Sequence, residues 1–189
     1  LICIADVSGK GVPAALLMSN FQASLRALVR KSQDLEEIIM DLNRATKVSS
    51  NGENFITLFV GIYDFEETSF HYANCGHNPT VIFQKGDMKL LEKGTTVLGM
   101  FDPLPFIETE KIEGLDEFLF FGYTDGLTET FNAEDEQFGL DRLIKLLEKF
   151  KSENLAILHQ HIFKELDIFR EENPYQDDIT MISCQVKAQ

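Results

Sequence analysis

The alternation of apolar and polar residues divides the chain into strand-like and helix-like stretches. An apolar run over residues 1–5 stops at Asp6, and residues 8–11 are small turn formers with one lysine. Over residues 12–30 the apolar side chains recur at spacings of three and four, which predicts an amphipathic helix with Pro13 in its first turn. The chain is therefore predicted to open with a strand, a glycine turn and a helix.

The same periodicities predict the later elements. A second helix begins near Asp34, with Glu37 in the capping-box position, and ends at the loop of residues 49–52. Helices are also predicted at residues 139–150 and 155–169. The predicted strands are residues 55–65, 69–74, 81–83, 88–91, 106–111, 117–123 and 179–186, with longer loops at 92–105 and 126–138.

The pattern also predicts a fold class. Both faces of the strand at residues 55–65 are apolar, which is typical of a sheet covered on both sides. Helix pairs flank a central block of mostly hairpin-connected strands, and no linker rich in Pro, Gly or Ser interrupts the chain. We therefore predict an α+β fold in one domain over residues 1–189, with two mostly antiparallel sheets packed face to face and helices outside.

Charge and composition narrow the function classes. With 44% hydrophobic and 25% charged residues, the chain has the composition of a globular protein. Its net charge of −14 argues against non-specific binding to nucleic acid or to an anionic membrane, since both need basic patches. The acidic excess is compatible with a cation site lined by carboxylates.

The cysteines indicate a reducing compartment. Cys3, Cys75 and Cys184 lie in apolar strand-like runs, their number is odd, and no CxxC pair is present. They are predicted to be small core residues in a cytoplasmic protein.

Candidate chemistry centres on acidic residues that adjoin apolar runs. Asp6, Asp125 and the pair Asp177 and Asp178 share this context although they are far apart in sequence. Mg²⁺ and Mn²⁺ prefer carboxylate, carbonyl and water oxygens, and two such ions can activate water for displacement at phosphorus. Taken singly, each of these residues could instead be an ordinary turn former.

The motifs DVSGKGVPAALLM, ANCGHNP, YTDGLTE, FGLDRL and DDITM occur in this order along nearly the whole chain. Together they resemble the bacterial branch of the metal-dependent, type-2C-like protein serine/threonine phosphatases, which includes the sporulation and stress-response phosphatases. The resemblance implies an αββα sandwich. It also implies two Mn²⁺ or Mg²⁺ ions and removal of phosphate from serine or threonine of a regulatory protein by metal-activated water.

The resemblance also implies roles for individual residues. Asp6 would bridge the two metals, the carbonyl of Val7 would be a further ligand, and Asp125 would bind a metal. Asp177 aligns with the late metal-binding Asp of the family, and the neighbouring Asp178 is the other candidate for that position. Asp6, Asp125 and Asp177 would form the catalytic set.

The substrate vicinity is expected to include three other residues. His77 and Asn78 match the family's GHNP turn, and Lys10 is a candidate for binding phosphate. The alternative is that His77 and Asn78 only hold that turn together and that Lys10 is a solvated loop charge.

One family motif is absent. Relatives carry an earlier GGD-type motif, whose Asp also bridges the metals, on a strand that would precede Leu1. We therefore expect an N-terminally truncated domain without its first strands, with weak or absent metal binding, low activity and an uncovered sheet edge that favours a dimer. An upstream sensor or regulatory domain is expected in the full-length protein, and residues 12–48 are expected to carry regulation as two helices against one sheet.

The resemblance implies a phosphorylated regulatory protein as substrate, for example an anti-sigma-factor antagonist, and no nucleic acid or membrane contact. A non-catalytic regulatory or binding module with the same fold is the alternative. An Asp-nucleophile phosphatase of the haloacid-dehalogenase type is disfavoured, because Tyr123 stands where its DxDG core needs the nucleophile.

Overall fold

The computed structural model describes residues 1–187, which form two compact units. Unit 1 comprises Leu1–Pro79 and Leu90–Leu115, and unit 2 comprises Thr80–Lys89 and Asp116–Gln189. One domain over residues 1–189 stays a prediction, and its last two residues lie outside the described part of the chain.

The elements agree closely with the periodicity of the sequence. In chain order they are β1 (Ile2–Val7), α1 (Val12–Lys31), α2 (Leu35–Ser50), β2 (Ile56–Asp64), β3 (Ser69–Cys75), β4 (Thr80–Gln84), β5 (Asp87–Leu91), β6 (Gly94–Thr95), β7 (Glu110–Ile112), β8 (Phe118–Tyr123), α3 (Asp125–Thr128), α4 (Gly139–Phe150), α5 (Leu155–Arg170) and β9 (Met181–Val186).

Unit 1 contains a five-stranded sheet in the order β1-β2-β3-β6, with β7 also paired to β3. The β1–β2, β2–β3 and β3–β7 pairs are antiparallel, whereas β3 and β6 are parallel. In the β1–β2 register Asp6 stands opposite Thr57. The end of β1 that carries Asp6 is therefore paired with the beginning of β2.

Helices α1 and α2 cover one face of this sheet. Their apolar stripes pack with the even-numbered side chains of β2 in one cluster that includes Leu17, Phe21, Leu25, Leu35, Ile38, Ile39, Leu42, Ile56, Leu58 and Val60. On the other face Phe59 stacks on Tyr72, with ring centroids 5.6 Å apart. Burial of both faces of β2, and two helices lying together against one sheet, are thus confirmed for this unit.

The start of α2 differs from the predicted capping box. The Asp34 carboxylate accepts hydrogen bonds from the backbone N–H groups of Glu36 and Glu37, as an N-cap should. The Glu37 carboxylate, however, accepts from the Ser32 hydroxyl at 2.6 Å, and that same hydroxyl accepts from the Asp34 N–H. Ser32 therefore stands between the two groups that a capping box joins directly.

Unit 2 contains a four-stranded sheet in the order β5-β4-β8-β9. Every residue of β8 is buried, which its uninterrupted apolar sequence predicts. Helices α4 and α5 bury the predicted stripes, with Leu143 and Leu147 on α4 and Leu158, Ile162 and Leu166 on α5. Each unit thus combines a mostly antiparallel sheet with a helix pair, as the α+β prediction requires.

Three short elements differ from the prediction. The predicted loop at residues 92–105 contains β6, and the irregular stretch at 126–138 begins inside α3. The strand predicted from residue 106 begins only at Glu110, where the pairing with β3 begins. Before it, Phe106 is exposed and the Glu108 N–H donates a single backbone hydrogen bond, to the Gly94 carbonyl. β6 and α3 have two and four residues, which is too short for a periodic signal.

The cysteines are free thiols. Cys75 is buried, and this burial raises its pKa to about 12, so it is an inert core residue. Cys3 and Cys184 are half-buried. Among the helices of residues 1–187, none is long and apolar enough to cross a membrane.

Gly94 provides a test of the β3–β6 pairing. A Cβ atom at this position would lie 1.8 Å from the carbonyl oxygen of Asn74, so Gly94→Ala should destabilise the chain by at least about 3 kcal/mol. Gly52→Ala is the control, because its φ of +74° is strained for alanine but open space surrounds it, and it should cost only about 1 kcal/mol. Urea unfolding measures both, and equal losses would contradict the close approach.

Candidate active site

Asp6 lies at the exposed end of β1. Its Oδ1 atom accepts a hydrogen bond of 2.9 Å from the backbone N–H of Val7. The following residue fastens the turn to β2, because the Ser8 N–H donates to the Phe55 carbonyl at 2.9 Å and the Phe55 N–H donates to the Ser8 hydroxyl at 2.8 Å. Two hydrogen bonds between Ser8 and Phe55 therefore hold the turn after Asp6 against the start of β2.

The glycine turn after Asp6 presents Lys10 to solvent. Gly9 has φ +90°, and a Cβ there would lie 3.0 Å from Oδ1 of Asn54, so this position favours glycine. Lys10 is exposed between the turn and α1. Its position is compatible with either predicted role, a phosphate contact or a solvated charge.

His77 and Asn78 lie in the turn after β3, in the same unit as Asp6. The His77 N–H donates to Oδ1 of Asn74 at 2.7 Å, and the Asn74 amide donates to the Asn78 carbonyl at 3.4 Å. The His77 side chain is buried, and its Nδ1 lies 2.8 Å from the hydroxyl of Thr57. Since Thr57 stands opposite Asp6, the fold brings His77 and Asp6 to two sides of one threonine.

Asp125 is the first residue of α3 in unit 2. Its carbonyl accepts from the Glu129 N–H at 2.8 Å, which closes the short helix. Thr124 precedes it, and its backbone N–H donates to the Thr180 carbonyl at 3.0 Å, while its hydroxyl accepts from the Thr180 N–H at 2.9 Å. The same hydroxyl donates to the carbonyl of Asp178 at 3.3 Å. Thr124 thus ties the Asp125 turn to the late acidic segment.

Asp177 and Asp178 are exposed just before β9. The Asp178 N–H donates to Oδ1 of Asp177 at 2.8 Å. Gly126 allows this segment to approach the Asp125 turn, because a Cβ at Gly126 would lie 2.5 Å from the Asp178 carbonyl oxygen. The structure therefore brings the segments of Asp125 and Asp177–Asp178 into direct backbone contact.

Sequence reasoning missed the residues that make these contacts. Thr57, Asn74, Thr124 and Gly126 have no charge and lie inside otherwise apolar or turn-like stretches. A small residue directly after Asp125 was the available signal for Gly126, because a glycine within a helix permits close backbone approach.

The predicted metal ligands are the carboxylates of Asp6, Asp125 and Asp177 or Asp178 and the carbonyl of Val7. Oxygen atoms of these types are the ligands that hard divalent cations prefer. Within residues 1–187, no three His, Cys, Asp or Glu side chains are grouped closely enough to hold an ion. Asp6 belongs to unit 1, whereas Asp125, Asp177 and Asp178 belong to unit 2. The metal-ligand set therefore stays a prediction.

Two solved structures share the fold of this chain. The SiaA-PP2C domain of Pseudomonas aeruginosa matches with a TM-score of 0.77 and 18% identity, over 96% of this chain and 73% of that one. The RsbU and RsbW domains of Rv1364c from Mycobacterium tuberculosis match with a TM-score of 0.77 and 22% identity, over 98% of this chain and 52% of that one. These likenesses confirm the predicted α+β fold class.

A curated relative is similar to this chain in sequence as well. Phosphoserine phosphatase RsbU of Bacillus subtilis is 30% identical over 186 residues, which cover 96% of this chain and 54% of the relative. The chain thus spans about half the length of that curated relative.

The motifs, the fold and these relatives agree with a match to a family model. The model described as stage II sporulation protein E (SpoIIE) matches residues 1–187. The chain therefore belongs to the SpoIIE family, the sporulation and stress-response branch of the type-2C-like phosphatases that its motifs predicted.

Proposed function

We propose that this chain is the phosphatase domain of an enzyme that hydrolyses phosphoserine or phosphothreonine on a regulatory protein. The family match over residues 1–187 is the observation that carries the proposal. The similarity to a phosphoserine phosphatase supports the substrate class. The direct contact between the Asp125 turn and the Asp177–Asp178 segment supports it structurally, because it holds late acidic residues beside Asp125.

In this proposal two Mn²⁺ or Mg²⁺ ions would be held by Asp6, the Val7 carbonyl, Asp125 and Asp177, with Asp178 as the alternative to Asp177. When bound, such ions supply activated water and stabilise charge on the phosphoryl oxygens. The chain's own contribution is to position these oxygens: the turn after β1 holds Asp6, and Thr124 holds the Asp125 turn. Lys10, His77 and Asn78 would lie in the vicinity of the substrate phosphate.

The proposed setting is a cytoplasmic signalling pathway. The substrate would be a phosphorylated regulatory protein, with an anti-sigma-factor antagonist as the first candidate, and an upstream sensor domain would control the enzyme. Helices α1 and α2 would transmit that control, because α1 follows directly on the turn after Asp6 and packs with α2 against the same sheet. Dimerisation is part of this proposal.

A manganese-dependent assay tests the activity. The native protein that contains this chain is incubated with a phosphoserine peptide, and released phosphate is measured with Mn²⁺, with Mg²⁺ and with EDTA. We expect release that requires the divalent ion and is lost in EDTA. Mn²⁺ binding without hydrolysis of any phosphopeptide would favour the non-catalytic module instead.

A further inference from the structure

The residue that joins the Asp6 strand to the His77 turn is Thr57. In an antiparallel pair, directly opposed residues project from the same face with Cβ atoms about 5 Å apart, so the side chains of Thr57 and Asp6 are neighbours. The Thr57 hydroxyl also lies 2.8 Å from Nδ1 of His77. One uncharged side chain therefore adjoins a predicted metal ligand and is held by a buried imidazole.

His77 is itself fixed from behind. Only 7% of its surface is exposed, and its N–H donates to Oδ1 of Asn74. The Asn74 amide in turn donates to the carbonyls of Leu91 and Asn78. Asn74 is buried on β3, so the imidazole that contacts Thr57 is held by the centre of the sheet. Buried polar networks of this kind restrict side chains to one arrangement.

We propose that Thr57, locked by His77, is a positioning residue that limits the orientations of the Asp6 carboxylate. This inference rests on the proposed function, in which Asp6 holds a divalent ion. His77 thereby acts through Thr57, and its burial agrees with a supporting role behind the site. Groups that orient a metal ligand without touching the ion typically change metal affinity about 10–100-fold when removed.

Three variants, made in the native protein that contains this chain, test the proposal. Thr57→Val removes the hydroxyl and keeps the branched shape, and Thr57→Ser keeps the hydroxyl. Thr95→Val is the matched control, because the Thr95 hydroxyl also makes a part-buried hydrogen bond, to the Phe106 carbonyl, but Thr95 lies on β6, three strands from β1.

The readouts are Mn²⁺ affinity by calorimetric titration, thermal stability, and the ¹⁵N signals of the His77 ring in metal-free protein. We expect Thr57→Val to weaken Mn²⁺ binding about tenfold and to shift the His77 signals, while it destabilises no more than Thr95→Val does. Thr57→Ser should keep the affinity within about twofold, and Thr95→Val should leave it unchanged.

The outcomes separate the two ideas. If the unsubstituted native protein binds Mn²⁺ and its Thr57→Val variant binds it equally well, Thr57 has only a structural role and the inference is wrong while the proposed function stands. If Thr57→Ser loses as much affinity as Thr57→Val, the hydroxyl is not the determinant and the inference is also wrong. If the unsubstituted native protein binds no Mn²⁺, the two-metal proposal fails and the inference fails with it.

Discussion

Replacing Asp125 by asparagine in the longer native protein is expected to lower turnover of a phosphoserine substrate at least about a hundredfold while the protein remains folded. The substitution keeps the size of the side chain and removes the negative charge that a hard divalent cation needs. The contacts that build the local structure come from the backbone, since the Asp125 carbonyl accepts from the Glu129 N–H and Thr124 binds the segment before β9. Steady-state kinetics at saturating Mn²⁺ and a thermal melt measure the two effects separately.

The matched control for this prediction is Asp87→Asn. Asp87 is exposed at the start of β5 in the same unit, and it lies in the β4–β5 hairpin, outside the Asp125 turn and the Asp177–Asp178 segment. It should leave turnover within about twofold, because it only removes a surface charge. Near-normal turnover of Asp125→Asn with saturating Mn²⁺ would remove Asp125 from the predicted site.

Gly126→Ala is expected to reduce turnover by about one to two orders of magnitude through a displacement of the late acidic segment. The added methyl group would lie 2.5 Å from the Asp178 carbonyl oxygen and 3.1 Å from its carbonyl carbon, so the backbone of residues 177–178 has to move away. Gly126 lies inside α3 without a positive φ, so alanine itself is compatible with the local conformation. The loss should therefore come from the displaced carboxylates.

Gly86→Ala adds the same methyl group elsewhere in unit 2, at φ +94° and in open space, and controls for general destabilisation. We expect Gly126→Ala to lose activity and Mn²⁺ affinity together, and Gly86→Ala to lose stability alone. Activity losses of the same size in both variants would show that the close contact at Gly126 has no special role.

Most helices and long strands followed from local pattern. Helix α4 has the predicted bounds of residues 139–150, and α1 and α5 each extend one residue beyond theirs. Periodicity predicts these helices because each buries one continuous apolar stripe within its own unit. The spacing of the apolar residues along the sequence is enough to identify such a stripe. The two apolar faces of β2 were recognisable for the same reason.

The acidic residues were also recognisable, because an Asp that ends an apolar run is a local feature, and the ordered motifs identified the family. The sequence alone thus determined the fold class, the family and the candidate ligands Asp6, Asp125, Asp177 and Asp178. The assignment of Asp177 over Asp178 stayed open, since both occupy the same exposed segment.

Tertiary structure decided what these residues contact. The two residues of β6 form a strand only because β3 offers them a parallel partner, and Thr124 contacts Asp178 across 54 positions of the chain. Thr57 reaches His77 across 20 positions and faces Asp6 through the strand register. Such contacts depend on how distant segments pair. The residues next to an uncharged threonine or glycine in the sequence do not indicate which distant residue it will contact. For this reason the sequence identified the acidic residues, whereas the neighbours that hold them in place became visible only in the folded chain.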